Sequence, residues 1–501
     1  MSENAAVESS EHERARIDAE IIAKMPKMRD LYYDGGWRKP GGGYASTYNP
    51  ATGADLGPCA EANAQDVEAA VSAAKRAYPT WRSMKPLTRA EILRKIARVL
   101  RDNAQELAFI DAANCGNPVN EMVRDAVVAA AQLDFFAGLV TEIKGDTQAL
   151  DADSFNMTFR EPLGVCARIV AYNHPLMFTA AKIGAPLAAG NTVVVKPPPQ
   201  SPLSAYRFME LIDGIAPKGV INMVTGGLPC GEALVDHPDV PMVTLIGSVP
   251  TGRAIASGAS RRLKSVLLEL GGKNALIVYP DADIARAIAG AIKGMNFTWC
   301  GQSCGSTSRL FVHNSVYDQV VEGILDGIKR FKPGIPTDPA TTMGAIISKA
   351  QHEKIISYIE IGQNEGAKLA SGGKAPDDPI LANGFFVEPT VFVDVKSDMR
   401  IAREEIFGPV LSIIKWHDED VMFEEVNGLE YGLTGAIFTR SLATAHRAAQ
   451  RLEAGTVWIN HSAEHFLGSP FGGYKQSGVG REECIEELLA FTQIKNVHVA
   501  L

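Results

Sequence analysis

Residues 167–195 read ARIVAYNHPLMFTAAKIGAPLAAGNTVVV. The stretch begins and ends with short runs of apolar and β-branched residues, separated by about 20 residues that favour a helix and turns. Similar runs recur in the next part of the chain, and the five together are Arg168 to Ala171, Thr192 to Val195, Val220 to Thr225, Met242 to Ile246 and Ser265 to Leu270. Strands that alternate with helices form βαβ units, in which the strands are parallel. The pattern therefore predicts an α/β domain built on a parallel sheet.

A second alternating stretch extends from Ala275 to about Asn460. Its strand-like segments are Ala275 to Tyr279, Arg309 to Val312, Val410 to Trp416 and Thr456 to Ile459. A chain of 501 residues exceeds one ordinary core, since domains usually contain about 100–200 residues. We therefore expect a second α/β domain after the first.

The sequence also predicts an N-terminal helix of about four turns that packs against these domains. Ser10 and Glu13 have the spacing of a capping box, which would place the start of the helix at Ser10. Ile17, Ile21 and Met25 then recur on one face of the helix.

The charge balance limits the kinds of partner. The formal net charge of -9 repels phosphate backbones and anionic lipid surfaces, and no basic cluster opposes it. We expect no nucleic acid and no membrane as partners, but a small molecule and copies of the same chain. The sequence shows neither a signal-peptide core nor a run of about 18 apolar residues, so a cytoplasmic location is expected. Seven scattered cysteines, an odd number, indicate reduced thiols.

Cys304 is a candidate nucleophile because small residues surround it in the segment CGQSCGS, residues 300–306. Small residues let a substrate approach the backbone closely and leave the thiol open. A buried, inert cysteine in a tight turn is the alternative, because free cysteines are often buried. Cys300 is the local competitor. The pair lacks the further Cys or His ligands that zinc requires, so no metal site is predicted.

Two other polar residues follow apolar runs. Glu269 ends such a run before two glycines, where a buried carboxylate needs a purpose or a partner. It could serve as the base that a thiol with an ordinary pKa of about 8.5 needs at neutral pH. Asn173 could donate a hydrogen bond to a developing oxyanion. The alternatives are a carboxylate bonded to backbone amides and a simple turn at Asn-His-Pro.

Two segments are candidate contacts for sugar and phosphate groups. Lys196 ends the run VVVK, and open parallel sheets bind ligands at the carboxyl ends of their strands, so its ammonium could hold ribose hydroxyls. Residues 247–252, GSVPTG, resemble a phosphate loop, but Arg-Ala follows where a triphosphatase needs Lys and Ser or Thr. A helix that begins near Pro250 could still bind a pyrophosphate. A surface lysine and a plain strand-to-helix turn remain the alternatives.

The order of these motifs resembles the aldehyde dehydrogenase superfamily from about residue 30 to the C-terminus. The matching segments are Asn173, Lys196, Gly247-Ser248, Glu269, Cys304, residues 405–409 (EIFGP) and residues 470–475 (PFGGYK). Several ordered matches are far more specific than any single one. The resemblance implies oxidation of an aldehyde to a carboxylic acid with NAD(P)+, through a cysteine thiohemiacetal and a thioester.

The resemblance also implies a domain arrangement. Residues 1–144 and 161–274 would form a Rossmann-like dinucleotide-binding domain, and residues 275–476 a catalytic α/β domain. Residues 145–160 and 477–501 would form a small bridging element for oligomerisation. The implied assembly is a homodimer or a homotetramer.

Catalytic roles carry over onto the matching positions. Cys304 would be the nucleophile, Glu269 the general base, and Asn173 with the Cys304 amide the oxyanion hole. Lys182 and Glu482 match positions that are linked in relatives to proton relay.

The implied cofactor contacts are Tyr172, Lys196, Pro199, Gly247, Ser248, Gly252, Leu270, Glu405 and Phe407. Lys196 and Glu405 would bind ribose hydroxyls, and Phe407 would lie beside the nicotinamide. Many NAD-using relatives carry Glu at the position of Pro199, where its charge would repel a 2′-phosphate. NADP is therefore permitted, but NAD is favoured because no arginine is obviously placed to pair with that phosphate.

The implied substrate pocket contains His174, Met177, Ser303, His465 and Phe471. Many relatives have Trp-Asn-Phe-Pro where residues 172–175 here read YNHP, so an imidazole replaces one aromatic wall. Polar groups in the pocket predict an aldehyde that carries hydroxyl, carboxyl or heteroaromatic groups. One alternative is a CoA-acylating enzyme, which Glu269 disfavours because such relatives generally do not rely on glutamate there. The other is a non-catalytic relative of the same fold.

Overall fold

The structure is a computed structural model that describes the backbone of residues 3–500 and the side chains of residues 10–500. Its helices are α1 Glu3–Lys24, α2 Ala64–Ser83, α3 Pro86–Asp102, α4 Ala104–Cys115, α5 Val119–Gly138, α6 Pro175–Ala181, α7 Gly184–Ala189, α8 Leu203–Ile212, α9 Leu228–Asp236, α10 Val249–Ser260, α11 Ile284–Met295, α12 Tyr317–Gly327, α13 Lys349–Asn364, α14 Arg400–Arg403, α15 Glu419–Asn427, α16 Leu442–Arg451 and α17 Ile485–Ala490. Its strands are β1 Leu31–Tyr33, β2 Gly36–Arg38, β3 Tyr44–Tyr48, β4 Asp55–Ala60, β5 Thr147–Ala149, β6 Ser154–Pro162, β7 Val165–Ile169, β8 Thr192–Lys196, β9 Ile221–Met223, β10 Met242–Ile246, β11 Ser265–Glu269, β12 Ala275–Val278, β13 Arg309–His313, β14 Lys368–Ser371, β15 Thr390–Val393, β16 Val410–Trp416, β17 Tyr431–Gly432, β18 Thr434–Phe438, β19 Thr456–Ile459, β20 Tyr474–Lys475, β21 Gly478–Val479 and β22 Thr492–Ala500.

The first sheet has eight strands in the order β2-β1-β9-β8-β7-β10-β11-β21, and its five central strands are parallel. Both faces are covered by apolar side chains: in β8, Val193 and Val195 pack into one apolar cluster and Val194 into another. Burial on both faces is typical of parallel sheets with helices on either side. The predicted α/β fold is confirmed. Glu269 and Lys196 are the last residues of β11 and β8, so both lie at the carboxyl ends of the parallel strands.

The second sheet has seven strands in the order β14-β15-β16-β13-β12-β18-β19, all parallel except β14. Ala275 and Ile277 of β12 face one apolar cluster, and Leu276 and Val278 face another. Cys304 lies in the connection from α11 to β13, so this sheet positions the candidate nucleophile.

A third sheet joins distant parts of the chain. It has the order β22-β6-β5 and pairs all nine residues of β22 with β6. This pairing brings residues 147–162 and 492–500 together, which supports the predicted bridging element. The short strand β21, which the prediction assigned to the same element, instead pairs with β11 in the first sheet.

The N-terminal helix is present, but the predicted start is wrong. α1 begins at Glu3, so Ser10 and Glu13 lie inside the helix and do not cap it. Ile21 and Met25 are buried at 2% and 6% exposure, as the spacing predicted. Among residues 3–500, no helix combines the length and the apolar character needed to cross a bilayer.

Candidate active site

Cys304 lies in a tightly packed loop. Asn274 donates from Nδ2 to the carbonyl oxygens of Cys304 (2.7 Å) and Ser306 (3.0 Å). Gly301 has a φ of 64°, and a Cβ atom there would lie 2.1 Å from the Gly408 carbonyl oxygen. Cys304 is partly exposed whereas Cys300 is buried at 1% exposure. Of these two cysteines, Cys304 is therefore the more exposed residue.

The Cys304 thiol is electrostatically coupled to two carboxylates. Burial, together with the charges of Glu269 and Glu405, raises the pKa of Cys304 to about 12. A thiol with such a pKa is almost entirely protonated at neutral pH and needs a base to become nucleophilic.

Glu269 is a buried carboxylate at the carboxyl end of β11, 4% exposed. Neither of its carboxylate oxygens hydrogen-bonds to any group in the described part of the chain, so the alternative of a carboxylate bonded to backbone amides does not apply. Burial and the nearby charge of Glu482 raise its pKa well above the ordinary value. A buried carboxylate without a protein partner is costly, which is the usual signature of a functional group.

A buried charge network lies beside Glu269. Lys182 forms an ion pair with Glu482 at 2.8 Å, and the charges of both residues act on the pKa of Glu269. Arg168 lies 3.5 Å from Glu482 and 3.4 Å from Glu487. Lys182 and Glu482, the two positions that the resemblance linked to proton relay, therefore form an ion pair whose charges act on Glu269.

Asn173 and His174 occupy the turn between β7 and α6. The side chain of Asn117 donates to the Asn173 carbonyl oxygen at 2.7 Å and fixes the turn. Asn173 is 5% exposed, and its side-chain amide hydrogen-bonds to no other described residue. The His174 ring lies 4.7 Å from that of Trp299, five residues before Cys304, so this turn packs against the loop of the candidate nucleophile.

The predicted sugar and phosphate contacts lie at the same edge of the first sheet. Lys196 is 5% exposed, and within residues 10–500 its ammonium forms no hydrogen bond or ion pair. Burial lowers its pKa. Ser248 caps α10, and its hydroxyl accepts from the Thr251 amide at 3.4 Å. A Cβ atom at Gly252 would lie 2.6 Å from the end of the Leu270 side chain, so a larger residue there would require that side chain to move. Pro199 is exposed.

Glu405 and Phe407 belong to the segment 405–409, which packs against the loop of Cys304 at Gly301 and Gly408. Glu405 accepts a hydrogen bond from the Gly272 amide at 3.0 Å, and burial raises its pKa. Gln351 holds the Phe407 backbone by donating to its carbonyl oxygen at 2.9 Å. Phe407 has a φ of 55°, a strained value for an aromatic residue, and its ring meets that of Tyr172 edge-on at 5.8 Å.

Residues 37–497 match the model of the aldehyde dehydrogenase family. The chain belongs to this family. It is 48% identical to aldehyde dehydrogenase tropH of Talaromyces stipitatus over 96% of this chain and 95% of that protein. It resembles the NAD+ complex of an aldehyde dehydrogenase from Bacillus cereus with a TM-score of 0.92 and 38% identity, over 96% and 98% of the two chains. It also resembles betaine aldehyde dehydrogenase of Staphylococcus aureus in complex with NAD+, with a TM-score of 0.93 and 33% identity over 96% and 97%. The predicted family and fold class are confirmed.

The predicted substrate residues of this aldehyde dehydrogenase divide into two groups. His465 and Phe471 stack at 4.4 Å and line a cavity of about 410 Å³ with Trp458, Phe466 and Glu483. His174, Met177 and Ser303 do not line that cavity. Met177 packs instead with Val170, Phe178 and Ile246, and Ser303 is partly exposed beside Cys304.

Four residues that organise the site of this aldehyde dehydrogenase were not predicted. Asn274 and Gln351 fix backbone carbonyls of the Cys304 and Phe407 loops, and Arg168 joins the charge network. Asp125 accepts from His174 Nδ1 at 2.7 Å. Only Asp125 had a signal in the sequence, because it falls on the apolar face of its helix, three residues after buried Met122.

Proposed function

We propose that the protein oxidises an aldehyde to a carboxylic acid, with NAD as hydride acceptor, Cys304 as nucleophile and Glu269 as general base. The observation that carries the proposal is the Glu269 carboxylate, which is buried at the end of β11 without a hydrogen-bonding partner among the described residues and whose charge raises the pKa of Cys304. The position of Glu269 favours hydrolysis of the thioester over transfer to CoA.

The first half of the reaction needs a base and an oxyanion donor. As the Cys304 sulfur adds to the carbonyl carbon, its proton passes to the Glu269 carboxylate and the carbonyl oxygen becomes an alkoxide. The Asn173 amide, which has no other partner among the described residues, would donate to that oxygen together with the Cys304 backbone amide. Loss of hydride from the same carbon leaves a thioester on Cys304.

The second half needs the base again. Glu269 would pass its proton toward Lys182 and Glu482 and then take a proton from water as the water attacks the thioester. Cleavage of the carbon–sulfur bond releases the acid and restores the Cys304 thiol. The buried ion pair of Lys182 and Glu482 suits such a relay because both charges act on the pKa of Glu269, although a further group, such as water, would have to carry the proton across.

The residues at the sheet edge fit a nicotinamide dinucleotide. The Lys196 ammonium and one oxygen of Glu405 have no hydrogen-bonding partner in the described chain, and both suit ribose hydroxyls. The start of α10, with Ser248 and Gly252, would receive the pyrophosphate, and Phe407 and Tyr172 would border the nicotinamide. When bound, NAD supplies the acceptor for the hydride. The NAD+ complexes of two relatives support NAD, while Pro199 still permits NADP.

The proposal also includes the domain division, the cellular location and the assembly. We infer the division into residues 1–144 with 161–274, 275–476, and 145–160 with 477–501, which the three sheets support except at β21, whose residues 478–479 join the first sheet. We also infer a cytoplasmic location and a homodimer or homotetramer. The apolar side chains Phe159 and Ile494, exposed at 47% and 62% on the third sheet, support the association of copies.

The test follows absorbance of the reduced cofactor. Enzyme, NAD or NADP and an aldehyde panel are mixed with and without CoA, and steady turnover without CoA is expected. Dependence on CoA would favour the acylating alternative, and no reduced cofactor with any aldehyde would favour a non-catalytic protein.

Glu269→Gln should retain a first burst of reduced cofactor and lose turnover by about 10²–10⁴-fold, because the base is needed to hydrolyse the thioester. Exposed Glu360→Gln serves as the matched control. Unimpaired steady-state turnover of Glu269→Gln would contradict the role of Glu269.

A further inference from the structure

A histidine and a carboxylate form a buried pair next to the candidate oxyanion residue. His174 directly follows Asn173, and its Nδ1 lies 2.7 Å from an oxygen of Asp125 on α5. The residues are 7% and 5% exposed. Charged pairs are rarely buried without a role, since removing them from water is costly.

The pair fixes the direction of the imidazole. A carboxylate only accepts hydrogen bonds, so Nδ1 carries the hydrogen and donates to Asp125. Nε2 forms no hydrogen bond with any residue that the structure describes. It donates when the ring is charged and accepts when the ring is neutral, so a hydroxyl group can pair with it in both states.

Aromatic rings enclose the imidazole. Trp299 lies 4.7 Å away and Phe178 5.5 Å away, both edge-on. Trp299 precedes the Cys304 loop, so His174, which follows Asn173, lies where the Asn173 turn contacts the segment that leads to the candidate nucleophile. Flat apolar walls of this kind suit an aromatic ring.

We propose that His174, held by Asp125, is a specificity-determining residue that hydrogen-bonds through Nε2 to a hydroxyl group on an aromatic aldehyde. This inference rests on the proposed aldehyde oxidation and names its substrate class.

The surrounding charges favour a neutral hydroxyl over a carboxylate. Burial lowers the pKa of His174, but the charges of Asp125, Asp111 and Glu121 outweigh burial, and the pKa is raised. Asp125 neutralises the charged ring, Glu121 adds negative charge, and burial raises the pKa of Asp111 to about 7. The region has no excess positive charge to attract an anion, so a neutral group is preferred.

The test compares ortho-, meta- and para-hydroxybenzaldehyde with the methylbenzaldehyde of the same ring position. Hydroxyl and methyl groups have similar size but differ in electron donation, so the hydrogen bond is measured by the change in the kcat/KM ratio between the wild type and a variant, at a pH where the hydroxyl is not ionised. For the wild-type enzyme we expect at least one hydroxyl partner to be preferred by about 10-fold or more. In His174→Phe, and in Asp125→Asn/His174→Phe, which leaves no stranded carboxylate, the ratio at that ring position should fall about 10-fold below the wild-type ratio.

Asp134→Asn is the control, because Asp134 lies on the same helix in an exposed pair with Arg101 and should keep the wild-type ratio. If the wild-type enzyme turns over all six aldehydes without a hydroxyl preference, the proposed role of His174 is wrong, whereas the proposed aldehyde oxidation still holds. The same conclusion follows if the double variant keeps the wild-type ratio. No turnover of any of the six, or of other aldehydes, would overturn the proposed oxidation itself.

Discussion

At the scale of single residues, Glu269 sets a pH dependence of stability. Its pKa in the folded protein is raised well above the ordinary value by burial and by Glu482. Between the unfolded and folded pKa values, the folded state therefore holds a proton that the unfolded state has lost. In that window the free energy of unfolding falls as pH rises, so the ionised carboxylate destabilises the fold at neutral and alkaline pH.

Replacement of Glu269 by Gln should therefore stabilise the protein more near pH 8 than near pH 5, by about 1 kcal/mol or more, since one pKa unit corresponds to about 1.4 kcal/mol. Chemical denaturation at the two pH values measures the difference. The exposed Glu360→Gln variant should show no such difference. If Glu269→Gln stabilises the protein equally at both pH values, the ionised Glu269 carboxylate does not destabilise the fold and the argument is wrong.

Single residues also show the limit of prediction from sequence. The sequence predicted Cys304 and Glu269 as site residues because each has a distinctive local motif: Cys304 lies among small residues, and Glu269 ends an apolar run before two glycines. The partner of His174 was not predicted, because Asp125 is 49 positions away and only the packing of α5 against α6 brings them together. Residue roles that depend on long-range packing are absent from local sequence patterns.

At the scale of elements, the loop that contains Cys304 (residues 300–306) packs directly against the loop that contains Phe407 (residues 405–409). Gly301 and Gly408 meet so closely that an added Cβ at Gly301 would lie 2.1 Å from a backbone oxygen, which cannot swing away as a side chain can. The loops carry the candidate nucleophile and the candidate cofactor contacts, so their spacing determines the alignment of the reacting groups.

We expect Gly301→Ala to reduce kcat/KM by about 100-fold, because displacements of about 1 Å can cost that much. Gly366→Ala is the matched control: Gly366 also has a positive φ, of 93°, but open space surrounds its Cβ position. It should lose some stability and keep its activity. Equal activity losses in the two variants would show that backbone strain, and not loop spacing, is responsible.

Element positions were predicted well where burial is continuous. Met242–Ile246 and Val410–Trp416 match the predicted bounds because each is a mainly apolar run that is almost entirely buried inside a parallel sheet. The start of α1 was not predicted, because Ser10 and Glu13 have capping-box spacing while the helix continues through them. Spacing alone does not distinguish a cap from two polar residues on a helix surface.

At the scale of the whole molecule, the third sheet leaves an extended edge. β22 pairs with β6 along nine residues, and no described strand pairs with its other side. Long edge strands with apolar side chains tend to pair with another chain. Ile494 lies on this edge strand and is 62% exposed, so an approaching second copy of the chain would meet an apolar side chain there.

Ile494→Arg should therefore shift the assembly toward the monomer at micromolar concentration, because a charge on this edge disfavours strand pairing between copies. Sedimentation velocity measures the shift. Leu263→Arg is the matched control, since Leu263 is 92% exposed at the end of α10, far in sequence from the third sheet. The prediction is wrong if the wild-type protein sediments as a monomer, or if Ile494→Arg assembles like the wild type. Either result would show that the outer side of β22 does not mediate association between copies.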